Sequence, residues 1–228
     1  MTIGAVDPTT GPAAGREPRW PAVLAILAVG MLYYALPTGI RVGPPWLLLV
    51  ALVVLLVPTI VARRVGNYAL NQRLAYVVLV VVTLGLVLSL VRLVGLLPAR
   101  VESASDLLRS AGALWGTNVL VFASWYWHLD AGGPNARDER RARRTRHVRG
   151  AFLFPQMTLP NDLLAKRGDE HWHPEFVDYL FLAFNTSTAF SPTDAPVLSR
   201  WAKAAMMLQA TLSLATLALL GARAINIL

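Results

Sequence analysis

Apolar residues in this chain are not scattered at the spacing of a globular core. They gather into long blocks at 20–36, 45–62, 74–97 and 107–129, then at 176–190 and 197–228. Crossing a hydrocarbon core of ~30 Å takes roughly 20 apolar helical residues, and the first four blocks approach or meet that length. Pro37, Gly39, Gly43, Pro44 and Pro45 force a tight turn between blocks one and two, and Pro98 closes block three. Pro58 lies inside the second block at a position where proline kinks a helix. The last block holds no proline and a single glycine, Gly221, and reads as one helix. Between blocks four and five runs a hydrophilic loop, 130–175, and between five and six lies the polar stretch FNTSTAFSPTDAP.

This pattern predicts an all-α, polytopic transmembrane helical bundle with five or six membrane segments, the fifth short enough to be either a span or re-entrant. Residues 1–19, rich in Pro, Gly and Thr, read as a disordered tail. Residues 20–129 carry four transmembrane helices, 130–175 a basic loop with interfacial segments, and 176–228 the short segment, a polar turn and a final transmembrane helix. No small-residue cleavage site follows the first block, so it reads as a retained helix rather than a signal peptide.

Composition agrees. The 228 residues are 55% hydrophobic and 15% charged, with a mean hydropathy of +0.50, whereas a soluble domain carries about 25% charged residues. With no cysteine, disulfides, thiolate metal sites and cysteine nucleophiles are excluded. The formal charge of +8 is concentrated in arginine clusters. Arg63, Arg64 and Arg73 lie between blocks two and three, and Arg137 to Arg149 in the long loop. The opposite loops hold Arg41 alone, or Arg100 and Arg109 offset by Glu102 and Asp106. The positive-inside rule therefore places the N-terminus and the basic loop in the cytoplasm of a bacterial plasma membrane. The C-terminus is cytoplasmic if 176–192 spans, and external if it is re-entrant.

Three stretches carry candidate chemistry. The run ARDERRARRTRHVR offers Arg137, Arg140, Arg141, Arg143, Arg144, Arg146 and Arg149 to anionic lipid headgroups or an acidic partner, with a bare topology signal as the simpler reading. Nucleic acid is not expected. In DEHWHPE, His171 and His173 would share one face of an extended strand and could ligate a divalent ion; the alternative is a solvated interfacial segment anchored by Trp172. In the polar stretch, Asn185, Thr186, Ser187, Thr188, Ser191 and Asp194 crowd hydroxyls, an amide and a carboxylate beside a helix start. Such groups line ion or substrate paths in interrupted membrane segments, for a monovalent cation here. They equally make a capped turn, with Asp194 or Ser199 as the cap of the last helix.

Smaller signals follow. AFLFPQMTLP is an apolar island that either dips into the interface or packs beneath the helices. Arg92 and Arg223 lie near helix ends, within snorkelling reach, and Asn118 and Gln209 read as interhelical hydrogen-bonding residues. His128 reads as interfacial.

Taken in order, WYWHLDAGGP, FLFPQ, PEFVDYLFLAF, SPTD, the pair Arg200 and Lys203, and the closing RAINIL resemble an uncharacterised family of bacterial integral membrane proteins. That resemblance implies a multi-helix plasma-membrane protein and assigns no activity. More loosely, the order apolar helix, Thr-rich turn, Asp, Pro, long helix resembles the pore helix, filter and inner helix of potassium channels, with Thr186, Thr188 and Asp194 in the matching places. It departs where Ser191, Pro192 and Thr193 stand in place of the filter glycines. The function expected is a non-enzymatic membrane protein, without cofactor, conducting or transporting through 185–194. The alternative is a structural or interaction protein, self-associating or docking lipid or a partner through its basic loop. No Ser–His–Asp set or phosphate-binding glycine loop points to an enzyme.

Overall fold

The four N-terminal blocks all fold as helices: α1 (Trp20–Tyr34), α2 (Leu47–Arg64), α3 (Tyr68–Leu96) and α4 (Ala104–Leu129). The structure, a computed structural model, describes residues 16–96, 104–143, 145, 147, 150–169, 172–188 and 195–225. Among them every regular element is helical, and the one strand-like contact is an isolated bridge between Phe152 and Val197. The all-α expectation therefore holds.

α2 and α3 are each long and apolar enough to cross a membrane, whereas α1 is apolar but only 15 residues long. Their outward faces are apolar too: Val53, Val54 and Val57 on α2 and Val80, Leu84 and Val91 on α3 are exposed. Exposed apolar surface of that extent marks a contact with membrane or with another protein. α1 starts with Pro21 in its first turn, where a missing N–H costs no helical bond. It crosses α2 so closely that a Cβ on Gly30 would lie 2.8 Å from the Leu49 side chain and 3.3 Å from its Cα. Only glycine lets the backbones approach that far. In the connecting turn the Tyr33 hydroxyl donates to the Val42 carbonyl and accepts from the Val42 N–H, both at 2.7 Å. Arg92, near the end of α3, donates to the Arg41 carbonyl at 2.8 Å, so its charge reaches that turn.

α4 is the hub, packed against α1, α3, α8 and α9. One core, built around Val29, Leu52, Leu79, Val82 and Leu114, fills the α1–α4 side. A second, aromatic core joins Phe122, Tyr126 and Trp127 of α4 to Phe152, Phe154, Phe176 and Tyr179. The chain leaves α4 through Asp130–Gly132 in a turn with Ala131, Gly132 and Gly133 all at positive φ. A Cβ on Gly133 would stand 2.7 Å from the His128 carbonyl oxygen, so the tight turn requires the Gly-Gly pair.

Beyond that turn the expected long loop is partly helical: α5 (Gly133–Ala142), α6 (Pro155–Thr158) and α7 (Asn161–Arg167). The apolar island packs beneath the helices, with Phe152 and Phe154 buried. It is pinned to the segment before the last helix by Leu153 N–H to Pro196 O at 2.9 Å and Leu198 N–H to Ala151 O at 2.7 Å. α8 (Phe176–Thr188) and α9 (Arg200–Ile225) complete the fold, and the Ser199 hydroxyl caps α9 by accepting from the Ala202 N–H at 3.3 Å. Asp194, the other expected cap, lies outside the described residues.

Candidate functional site

Two polar systems stand out against this apolar frame. The first joins α4, α8 and α9 deep in the bundle. Gln209 of α9 is fully buried; its amide donates to the Ala183 carbonyl at 2.7 Å and to the Ser187 hydroxyl at 2.8 Å. Its side-chain oxygen accepts from the Tyr126 hydroxyl at 2.6 Å, and its backbone carbonyl accepts from Asn118 Nδ2 at 3.1 Å. In the last turn of a helix carbonyls look outside it for donors, and that of Ser187 finds them on α4 and α9. The donors are Ser213 Oγ at 2.7 Å and Trp115 Nε1 at 3.4 Å. Asn118 and Gln209 thus bond between helices, as their positions in apolar blocks implied.

The candidate pore residues fall partly within this system. α8 stays helical through Thr188, and the Thr186 and Thr188 hydroxyls donate to the Leu182 and Phe184 carbonyls of their own helix at 2.8 and 2.9 Å. Ser187 is buried and taken up by Gln209, and Asn185 is half-buried on the same helix. Ser191 and Asp194 lie outside the described residues.

The second system lies at the C-terminal end of α4, where the basic loop begins. Arg137, expected on a surface facing headgroups, is instead completely buried. Its guanidinium donates to the Trp127 and Asp130 carbonyls at 2.9 and 3.0 Å and pairs with Glu17 at 3.4 Å. Burying a lone arginine is too costly to tolerate, so these partners explain its position. Glu17 also accepts from the Trp127 indole N–H, and its backbone N–H donates to Asp138 at 2.9 Å. The end of the expected disordered tail is therefore built into the bundle. Asp138 also holds Arg19 at 2.6 Å and Arg63 at 3.5 Å. The Arg19 and Arg137 guanidinium groups lie 5.1 and 5.9 Å from the Trp127 ring centroid, within cation–π range. Burial brings Arg19 down to about 10, partly offset by Glu17 and Asp138, so it stays charged at neutral pH.

Asp130, fully buried, accepts from the Tyr179 hydroxyl at 2.6 Å and from the Ala151 N–H. Burial pushes its carboxyl above the ordinary range, against the pull of those donors and of Arg137. His147 is buried beside it, with neither ring nitrogen hydrogen-bonded among the described residues. Burial first, then His173, Arg137 and Arg140, bring His147 down to about 3, which keeps it neutral.

Of the other candidate lipid arginines, Arg140 caps the turn by donating to the Ala131 carbonyl and Arg141 pairs with Glu175 at 3.4 Å. Arg143 is exposed and pairs with Glu139 at 2.7 Å. Arg144, Arg146 and Arg149 lie outside the described residues, as does His171. His173 is buried, its ring centroid 5.7 Å from that of His147. Among the described residues no group of three or more His, Cys, Asp or Glu is placed to hold a metal.

Over this cluster opens a groove of about 900 Å³ between α1, α2, α3 and the end of α4. Its floor is apolar, with Val23, Ile26, Leu56 and Leu79. Its mouth carries Arg16, Arg19, Arg63 and Arg64. Asn71, Asn135 and His128 line its inner edge, where Asn71 bonds the Thr59 carbonyl at 2.8 Å and Asn135 bonds Asn71 at 3.0 Å. The chain's pattern hid this site because Arg63 and Arg64 look like topology markers and Glu17 like part of the tail. The one local hint was a lone carboxylate between two arginines, in REPRW, directly before an apolar helix. Comparison of the chain with family models, with curated proteins and with solved structures returns no match, so the two likenesses noted in its sequence stand as resemblances.

Proposed function

We propose that this chain is a non-enzymatic, multi-pass protein of a bacterial plasma membrane whose arginine-rich end faces the cytoplasm and engages the anionic leaflet. The observation that carries the reading is the pairing of two features. α2 and α3 present apolar residues outward along membrane-spanning lengths, and α2 ends in Arg63 and Arg64 at the mouth of an apolar groove. α1, α4 and α9 bring the bundle to five membrane segments, and α8 packs beside α4 and α9 as a shorter sixth. Arginine at the cytoplasmic boundary is favoured both by insertion and by attraction to anionic lipid.

The conducting alternative draws less support. A path needs groups free to replace an ion's hydration shell, and the hydroxyls of Thr186, Ser187 and Thr188 are each already hydrogen-bonded. Vesicles containing the protein should pass monovalent cations no faster than empty ones. Faster flux that disappears in Thr188→Val would restore the conducting reading.

The chain has no cysteine, so single-cysteine labelling tests the orientation directly. A membrane-impermeant maleimide should label Trp46→Cys in intact cells and Val65→Cys only after permeabilisation. Both residues are exposed, at opposite ends of α2. Labelling of both from the same side would overturn the reading.

A further inference from the structure

The geometry points to a specific lipid site: the groove between α1, α2 and α3 binds one anionic phospholipid, its phosphate held by Arg16 and Arg64 and its acyl chain laid over Ile26, Leu56 and Leu79. The inference rests on the membrane reading above and adds the ligand class and its residues.

Charge complementarity selects the headgroup. Four arginines meet at the mouth; among the described residues Asp138 is the one carboxylate within ion-pair distance of Arg63, and Arg19 pairs with Asp138 at 2.6 Å and with Glu17 at 3.6 Å. Arg16 and Arg64 have no carboxylate within ion-pair distance among the described residues. Two unneutralised guanidinium groups beside Arg19 and Arg63, whose carboxylate partners are shared with each other and with Arg137, leave a local excess of positive charge. The planar fork of arginine matches phosphate oxygens two at a time. A zwitterionic headgroup would bring its own cation into that field.

Shape selects the rest of the ligand. A volume of about 900 Å³ is at the upper end of the range for ligand pockets. A free phosphate would leave nearly all of the apolar floor uncovered. The groove also opens sideways: Trp20, Leu24 and Ile60, on its rim, are 66%, 54% and 38% exposed and apolar. In a bilayer that opening faces lipid tails, so a phospholipid can enter from the leaflet without leaving it. Basic pockets between transmembrane helices on the cytoplasmic side are where anionic headgroups are held.

The test uses the full chain purified in detergent, offered phosphatidylglycerol or phosphatidylcholine of the same acyl composition, with bound lipid counted by native mass spectrometry. One phosphatidylglycerol should stay bound under activation that strips phosphatidylcholine. Arg16→Gln and Arg64→Gln should each weaken retention by about fivefold, and the double variant by about 25-fold. Arg143→Gln, an exposed loop arginine already paired with Glu139, should change nothing. Ile60→Trp, which narrows the side opening without altering charge, should also reduce retention. Equal retention of the two lipids, or loss on Arg143→Gln with none on Arg16→Gln and Arg64→Gln, would overturn the groove site. A chain recovered in the soluble fraction without detergent would instead sink the membrane reading.

Discussion

Gln209 satisfies four neighbours at once, so its replacement tests whether the α4–α8–α9 contact depends on polar or apolar packing. Gln209→Leu keeps the volume but strands the Tyr126 hydroxyl donor and the Ser187 hydroxyl in an apolar site. Leaving buried polar groups unpaired costs about 1–3 kcal/mol. A loss of about 2 kcal/mol in detergent unfolding is expected, with Ser187→Ala, which removes a single partner, costing less. His147 gives a pH signature of opposite origin to an ordinary salt bridge. Its folded pKa, about 3, lies below the unfolded value of 6.5, so below pH 6.5 the unfolded chain binds the extra proton. Stability should therefore fall as pH drops from 6.5 towards about 3, with the melting temperature as readout. His147→Phe should flatten that slope. Asp130, shifted upward, contributes with the opposite sign and does not produce the acid loss.

Among elements, α5 depends most on distant partners. It is short and polar and would not hold as an isolated helix in water; Arg137 anchors it by reaching back to α4 and to Glu17. Arg137→Ala leaves Glu17 with Arg19 as its remaining ion pair and deprives the Trp127 and Asp130 carbonyls of their donor. It should cost about 3 kcal/mol, the low end of the usual penalty for breaking a buried pair. Arg137→Lys should fail to rescue, because one ammonium cannot span the Trp127 and Asp130 carbonyls and Glu17 together. Circular dichroism and melting temperature would report both. The long helices were legible in the chain's pattern because a run of Leu and Val such as 74–97 has few other ways to satisfy its backbone in an apolar surrounding. The ion-pair cluster was not. Arg137 sits in a run of arginines chemically identical to it, and what distinguishes it is a partner 120 residues away. No local period encodes that separation. The same holds for the hydroxyls of 186–188, whose spacing fits a filter and a helix end equally until their acceptors are known.

For the whole molecule, the outward faces of α2 and α3 define where lipid should touch. A lipid-soluble carbene reagent in reconstituted bilayers should label Val54, Val57, Leu84 and Val91 heavily, and leave the fully enclosed Leu52 and Val82 unlabelled. Uniform labelling would mean the bundle opens in lipid, and no labelling of α2 would mean that helix is covered by another copy or partner.

Glu17 adds a matter of timing. It precedes the first helix and has Arg19 as a near cation at 3.6 Å, yet the buried cation that completes its burial, Arg137, is made 120 residues later. At about 5–20 residues per second a ribosome needs roughly 6–24 s to cover that distance. Through most of that interval Glu17 has Arg19 beside it but neither the Trp127 N–H nor Arg137 to complete its burial, with α1 already available for insertion. A chain stalled or cut before α5 should therefore be recognisable as unfinished by an exposed carboxylate at the membrane edge, and should be degraded faster than the same truncation carrying Glu17→Gln.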